Sequence, residues 1–353
     1  MLALGSIGVS REEKMMEYGF SMRGQYPSGT DMQDAFAKAC ECARLADKLG
    51  YSYLTKGQHY SMSPVQALQQ TPFLARIMVE APSIKLVTGI VLLPLHKPLD
   101  IAEQLAAIDV MSGGRLVFGS GIGYREVEFK AFGTTAKERG RRFEENLVAI
   151  RRLWTEEAVN MKGSHFELDN ASCSVKPLQK PNPPFWIGAN VDAGIERAAR
   201  MADAWFINPH QTMATIERQL DVYRRALEAA GKPEPKVLPI MRECYLGATE
   251  AEAIRIARPS LEAKYKSYHA WGQDKSMADG DNNLDLPFEE LLEDRFLLGS
   301  PDQVAEQLIS YGRRLGVTAV IPAFQSLGTP HSQVMESMEI FAKEVMPRVL
   351  QGL

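Results

Sequence analysis

The chain has 353 residues, 45% hydrophobic and 24% charged, enough to bury one large α/β barrel core or two smaller domains. Its 40 basic and 44 acidic residues leave a formal charge of −4, which offers no global attraction to nucleic acid or an anionic membrane and points to a small-molecule substrate. Residues 1–15 lack the features of an export signal and no apolar stretch approaches the roughly 20 residues of a membrane span, so a cytoplasmic protein with no membrane attachment is expected.

The first strand is expected over Glu17 to Met22, and Asp31 then opens an amphipathic helix that ends at Leu49-Gly50. Tyr51 to Thr55 reads as the second strand, followed by a helix from about Val65 to Val79. Lys85 to Leu93 is a continuous apolar run of the kind found in a parallel strand covered on both faces, and Pro94 and Pro98 stop it. Helix Leu99 to Met111 leads into the fourth strand, Arg115 to Phe118, which opens into Gly119, Gly121 and Gly123 ahead of a charged helix from Lys137 to Trp154.

Residues 155–183, with Gly163, Asn170 and prolines near Pro181, interrupt this rhythm as an excursion, read as a hairpin. Strands Phe185 to Gly188, Ala204 to Ile207 and Val237 to Leu246 follow, separated by a helix beginning at Asn190 and another from Met213 to Ala230. After a helix from Glu250 to about Tyr268, residues 269–298 form a second interruption, which is either a mobile active-site lid or a disordered surface insertion. Ser300-Pro301-Asp302-Gln303 has the form of a capping box at a helix start, and strand Val317 to Ile321 precedes the final helix, Ser332 to Val349.

Eight strands with intervening helices favour an α/β (β/α)8 TIM barrel over an open doubly wound sheet, a single domain over 1–353 with insertions after the fourth and seventh βα units. Active sites of such barrels lie at the carboxyl ends of the strands. The three glycines after the fourth strand therefore have two readings: a backbone that lets a flat ligand or its phosphate come close, or a tight turn with no ligand. The cysteines Cys40, Cys42, Cys173 and Cys244 form no C-x-x-C pair and read as packing residues, and the histidines include no H-x-H pair, so no metal site is expected.

Several ordered motifs carry a resemblance across nearly the whole chain. They are Thr88-Gly-Ile-Val-Leu-Leu-Pro-Leu-His-Lys-Pro98, Ile108 to Gly123, Glu126 to Gly133, Arg139-Gly-Arg-Arg-Phe-Glu-Glu145 to Trp154, Trp186-Ile-Gly-Ala-Asn190 and Ala202-Asp-Ala-Trp-Phe206. Together they resemble the bacterial luciferase-like flavin-dependent monooxygenases. The resemblance implies reduced FMN as cosubstrate, supplied by a separate flavin reductase because no dinucleotide fingerprint for NAD(P)H is present, and O2 as oxidant for a small organic substrate. It also implies a homodimer. A deazaflavin-dependent oxidoreductase that transfers hydride, and a non-catalytic flavin-binding barrel, are the alternatives on the same fold.

The resemblance puts the flavin against Thr88, Gly89, Gly121, Gly123 and Tyr124, and its phosphate on Arg141 and on Gly188, Ala189 and Asn190. Guanidinium geometry suits phosphate, and free N–H groups at a helix start suit an anion; a solvated helix arginine and an ordinary capping asparagine are the plainer readings of Arg141 and Asn190. Near the second strand the family has an acidic residue and two histidines, whereas this chain has Gly57-Gln58-His59. Gln58 and His59 are the catalytic candidates, although Gln58 cannot act as a base near neutral pH. His210 and Arg242 are the substrate candidates, with loop and barrel-core hydrogen bonding as their other reading.

Overall fold

The computed structural model describes residues 16–353; the first fifteen, in which no export signal is read, lie outside the described residues. Eight parallel strands close a barrel: β1 Glu17–Ser21, β2 Tyr53–Lys56, β3 Lys85–Thr88, β4 Leu116–Gly121, β5 Phe185–Ala189, β6 Ala204–Ile207, β7 Pro239–Leu246 and β8 Ala319–Ala323. Pairing runs in chain order from β1 to β6, continues through Ile207 opposite Ile240, and closes through β7 to β8 and β8 to β1.

Alternation sets the two layers of the core. Tyr53, Val87, Val117, Trp186, Phe206 and Ile321 pack together as one cluster, while Leu54, Leu86, Leu116 and Ile187 join the larger cluster shared with the helices. The Tyr53 hydroxyl meets Glu17, which also pairs with Lys85, at the amino-terminal ends of β1 and β3.

The expected capping box is present: Ser300 Oγ accepts from Gln303 N, and the Gln303 side chain accepts from Ser300 N. The excursion after the fourth unit is an antiparallel hairpin, Val159–Lys162 with Glu167–Ala171. Among the described residues no helix is long and apolar enough to cross a membrane.

Several elements differ from the sequence reading. The helix expected from Val65 starts at Gln70, because residues 57–69 run as a loop held through Tyr26 and Gln66. The apolar run 85–93 is broken after Thr88, and the Gly89–Ile90 peptide is cis. The Thr88 hydroxyl donates to Gly119 O and accepts from Gly119 N, each at 2.8 Å, so a side chain takes over the pairing where β3 ends.

The segment after helix Glu250–Ala270 is a packed body. Met277, Leu284, Phe288, Leu291 and Phe296 bury against Tyr245, Leu261, Tyr265 and Tyr268. The buried pair Arg295–Asp281, at 2.9 Å, and a hydrogen bond from Thr212 N to Asp281 tie it to the loop after β6. A disordered insertion is therefore excluded by burial. Its last residues, Leu297–Gly299, add a short strand beside the end of β7.

Candidate active site

A cavity of about 280 Å³ opens at the carboxyl ends of the strands. Its walls include Gly89, Ile90, Ile122, Gly123, Tyr124, Phe206 and the run Ile187 to Val191. Residues from nearly every βα loop reach it because the barrel converges these loops on one face.

The glycines of the fourth strand divide by function. β4 runs on to Gly121, so Gly119 and Gly121 are strand residues rather than a loop. A Cβ at Gly119 would lie 2.0 Å from Thr88 O, and one at Gly121 would lie 2.0 Å from Ile90 Cδ1. Both sit against the broken β3 segment, Gly119 against its backbone and Gly121 against the end of a side chain. Gly123 alone of the three lines the cavity, and its φ of 71° is in the left-handed region that glycine tolerates.

Two arginines meet beside Gly123. Arg139, at the first turn of helix Arg139–Thr155, donates to Gly123 O at 3.0 Å, and Arg197, on helix Asp192–Met201, donates to Glu144 at 2.7 Å. Both line the cavity, and burial together with the Arg197 charge pulls the Arg139 guanidinium below its ordinary value. These neighbouring cations, together with the uncapped start of helix Asp192–Met201, whose Val191 and Gly194 also line the cavity, form a receptive place for an anion.

Arg141 is not part of this group. Its side chain is 72% exposed and pairs with Glu145 at 2.8 Å, one turn along the same helix, and the cavity does not reach it. The helical period explains the substitution: Arg139 and Arg141 sit two positions apart and face different ways. Asn190 lines the cavity but precedes the helix, whose cap residue is Val191; its carbonyl accepts from Gln219. Gly188 and Ala189 line the same wall, while Thr88 and Gly121 lie behind it.

His59 lines the opposite part of the cavity and is held from behind. Its Nδ1 is 3.0 Å from Glu128 Oε1, which also accepts from Tyr60 N at 2.8 Å and from Arg125 at 3.3 Å. Arg125 in turn donates to the Tyr60 and Ser61 carbonyls and lies over the Trp271 ring. The buried carboxylate orients the imidazole, leaving Nε2 as its free nitrogen. Glu128 and Arg125, both buried, were not among the catalytic candidates read from the sequence.

Gln58 is a pin. Its Oε1 accepts from Leu92 N at 2.9 Å and is 3.0 Å from His96 Nε2, fastening β2 to the segment after the cis peptide. Burial depresses the His96 pKa to about 4, so the neutral ring donates that bond at neutral pH.

His210 lines the cavity beside Tyr268, with Nδ1 at 3.2 Å from the Tyr265 hydroxyl. Burial and the Lys264 charge push its pKa well below the ordinary histidine value, so it stands neutral. Arg242 differs from expectation: it is fully buried, does not line the cavity, and donates to the Pro209 carbonyl at 2.8 Å and the Tyr311 hydroxyl at 3.3 Å. It supports the loop that carries His210. Replacing Arg242 with methionine is expected to cost about 1–3 kcal/mol in urea unfolding, since buried acceptors lose their donor.

All four cysteines are buried and unpaired, and no group of His, Cys, Asp and Glu among the described residues could hold a metal ion.

A family model described as luciferase-like monooxygenase matches residues 16–319. The FMNH2-dependent dimethylsulfone monooxygenase of Pseudomonas putida is 28% identical over 335 residues, 87% of this chain and 86% of that protein. The oxygenase component of the flavin-dependent trigonelline monooxygenase of Acinetobacter baylyi is 26% identical over 236 residues, 65% of this chain and 64% of that one. Among solved structures, monooxygenase RslO1 from Streptomyces bottropensis superposes with a TM-score of 0.82 at 26% identity, covering 94% of this chain and 99% of its own. With the barrel, the broken third strand and the cavity at the strand ends, the match over residues 16–319 means that this chain belongs to the luciferase-like monooxygenase family.

Proposed function

We propose that the chain is the oxygenase component of a two-component system, taking reduced FMN from a separate reductase and using O2 to oxygenate a small organic substrate. The observation that carries this reading is the cavity's construction: its lining combines the apolar Ile90 and Phe206 with the neighbouring guanidiniums of Arg139 and Arg197. The relatives named as FMNH2-dependent and as an oxygenase component support it.

Arg139 and Arg197 would hold the phosphate, with the start of helix Asp192–Met201 adding its dipole. Ile90, Gly123, Tyr124, Gly188, Ala189 and Asn190 would line the seat of the rest. The reduced flavin, when bound, supplies two electrons to O2 so that one oxygen atom can pass to the substrate.

The chain's own residues then orient and protect. His59, fixed by Glu128, offers Nε2 to the oxidant or the substrate, and Gln58 keeps that strand end in register. Gln273, Lys275 and Ser276, which line the cavity from the packed segment after helix Glu250–Ala270, would help to keep water from the bound flavin. Anaerobic titration with reduced FMN, followed by mixing with oxygenated buffer and a substrate panel, tests the reading. Saturable binding, oxygen uptake and an oxygenated product are expected. Binding of reduced deazaflavin alone, with hydride transfer and no oxygen uptake, would overturn it.

A further inference from the structure

The cavity is lined by five cationic residues, Arg23, Lys56, Arg139, Arg197 and Lys275, and by no aspartate or glutamate. Arg139 and Arg197, at the β4 and β5 side, are accounted for by a phosphate. Arg23 follows β1, and Lys56, the last residue of β2, donates to the Arg23 carbonyl at 2.8 Å; this side of the closed strand order needs a different explanation.

Arg23 is the front of a buried charge cluster. Its Nη2 and the Lys264 ammonium both donate to the same oxygen of Glu243, and the three side chains are only 9%, 2% and 0% exposed. One carboxylate thus faces two basic side chains. Arg23 Nε and the second Glu243 oxygen are both buried without a hydrogen-bond partner among the described residues.

The nearby charges do not restore balance. Arg242 is bonded to carbonyls and a hydroxyl, His210 is neutral, and Asp281 is already taken by Arg295. Burial pushes the Glu243 carboxyl up, but Lys264 and Arg23 outweigh it and hold it below the usual range, while burial and Arg23 pull Lys264 down to about 7, so Arg23 is the cation this cluster keeps across the neutral range. Buried charge without full compensation is costly unless a ligand completes it.

We propose that the wall formed by Arg23, His210, Tyr268 and Gln25 is an oxyanion site that takes the carboxylate or sulfonate head of an organic substrate. Arg23 has an unused donor, Tyr268 and Gln25 are hydrogen-bonded to each other at 3.2 Å, and all four residues line the cavity. A planar guanidinium suits a two-oxygen anion better than a neutral carbonyl. The assignment of these anions as substrates rests on the flavin reading above, whereas their binding does not.

Calorimetric titration of the full chain, anaerobically with reduced FMN and again without flavin, uses hexanoate, hexane-1-sulfonate, and neutral hexanamide and hexane-1-sulfonamide. At least one anion is expected to bind at least about tenfold more tightly than its neutral partner, and the tighter of the two anions identifies the head group. Arg23→Gln removes that preference and leaves neutral binding unchanged; Glu243 keeps Lys264 as its partner, so the variant retains a paired carboxylate. Lys264→Met weakens anion binding from behind the wall and Glu243→Gln strengthens it, opposite signs that a purely structural cluster does not produce. Equal binding of anions and neutrals, no anion binding, or a preference that survives Arg23→Gln overturns the site. Tight reduced-FMN binding without an anion preference refutes this inference alone, and an anion preference without FMN binding refutes the flavin reading alone.

Discussion

Arg139→Ala is expected to weaken binding of reduced FMN by about 10–100-fold, the usual effect of losing a charge-assisted donor, while Arg141→Ala leaves it unchanged. Arg139 lines the cavity and fixes Gly123 O, so its removal takes away both a cation and a support of the wall. Arg141 points to solvent and holds Glu145, whose carboxylate also accepts from Ser164 N and Oγ. Anaerobic fluorescence titration measures both, with Arg139→Lys recovering part of the affinity as a point charge without the guanidinium fork. Loss of affinity in Arg141→Ala with none in Arg139→Ala would move the phosphate away from the cavity.

Gly119→Ala and Gly121→Ala are expected to separate stability from ligand binding. At Gly119 the added carbon meets a backbone oxygen, Thr88 O, at 2.0 Å, and the only relief is to part β3 from β4. A loss of about 3 kcal/mol or more is expected, at the upper end for overpacking, because backbone cannot repack as a side chain does. At Gly121 the added carbon meets the end of the flexible Ile90 side chain, which turns away and takes space from the cavity it lines. That variant should melt close to the parent and bind reduced FMN more weakly. Thermal melts and titrations on the pair decide this, and equal melting temperatures would show that β3 yields more easily than its packing implies.

The eight barrel strands were legible because continuous apolar runs alternate with amphipathic helices whose ends carry their own signals, such as Asp31 and Ser300. Of the residues that the resemblance puts against a flavin and its phosphate, Gly89, Gly123, Tyr124, Gly188, Ala189 and Asn190 line the cavity. Arg141 lies on the solvent face of its helix and Arg242 in the barrel core, the latter being the other reading left open for it; helix rotation and strand alternation, which residue type does not reveal, decide where each side chain points.

The chain's local chemistry by itself determined the order of strands and helices and the kind of ligand the glycine and arginine motifs resemble, since periodicity and capping act over a few residues. Only the tertiary structure decided which side chains converge. Glu128 behind His59, Arg197 beside Arg139, and Glu243 between Arg23 and Lys264 join residues 69, 58, 220 and 21 positions apart. Their meeting depends on barrel closure, and the charges become chemically distinct only when that closure removes them from water.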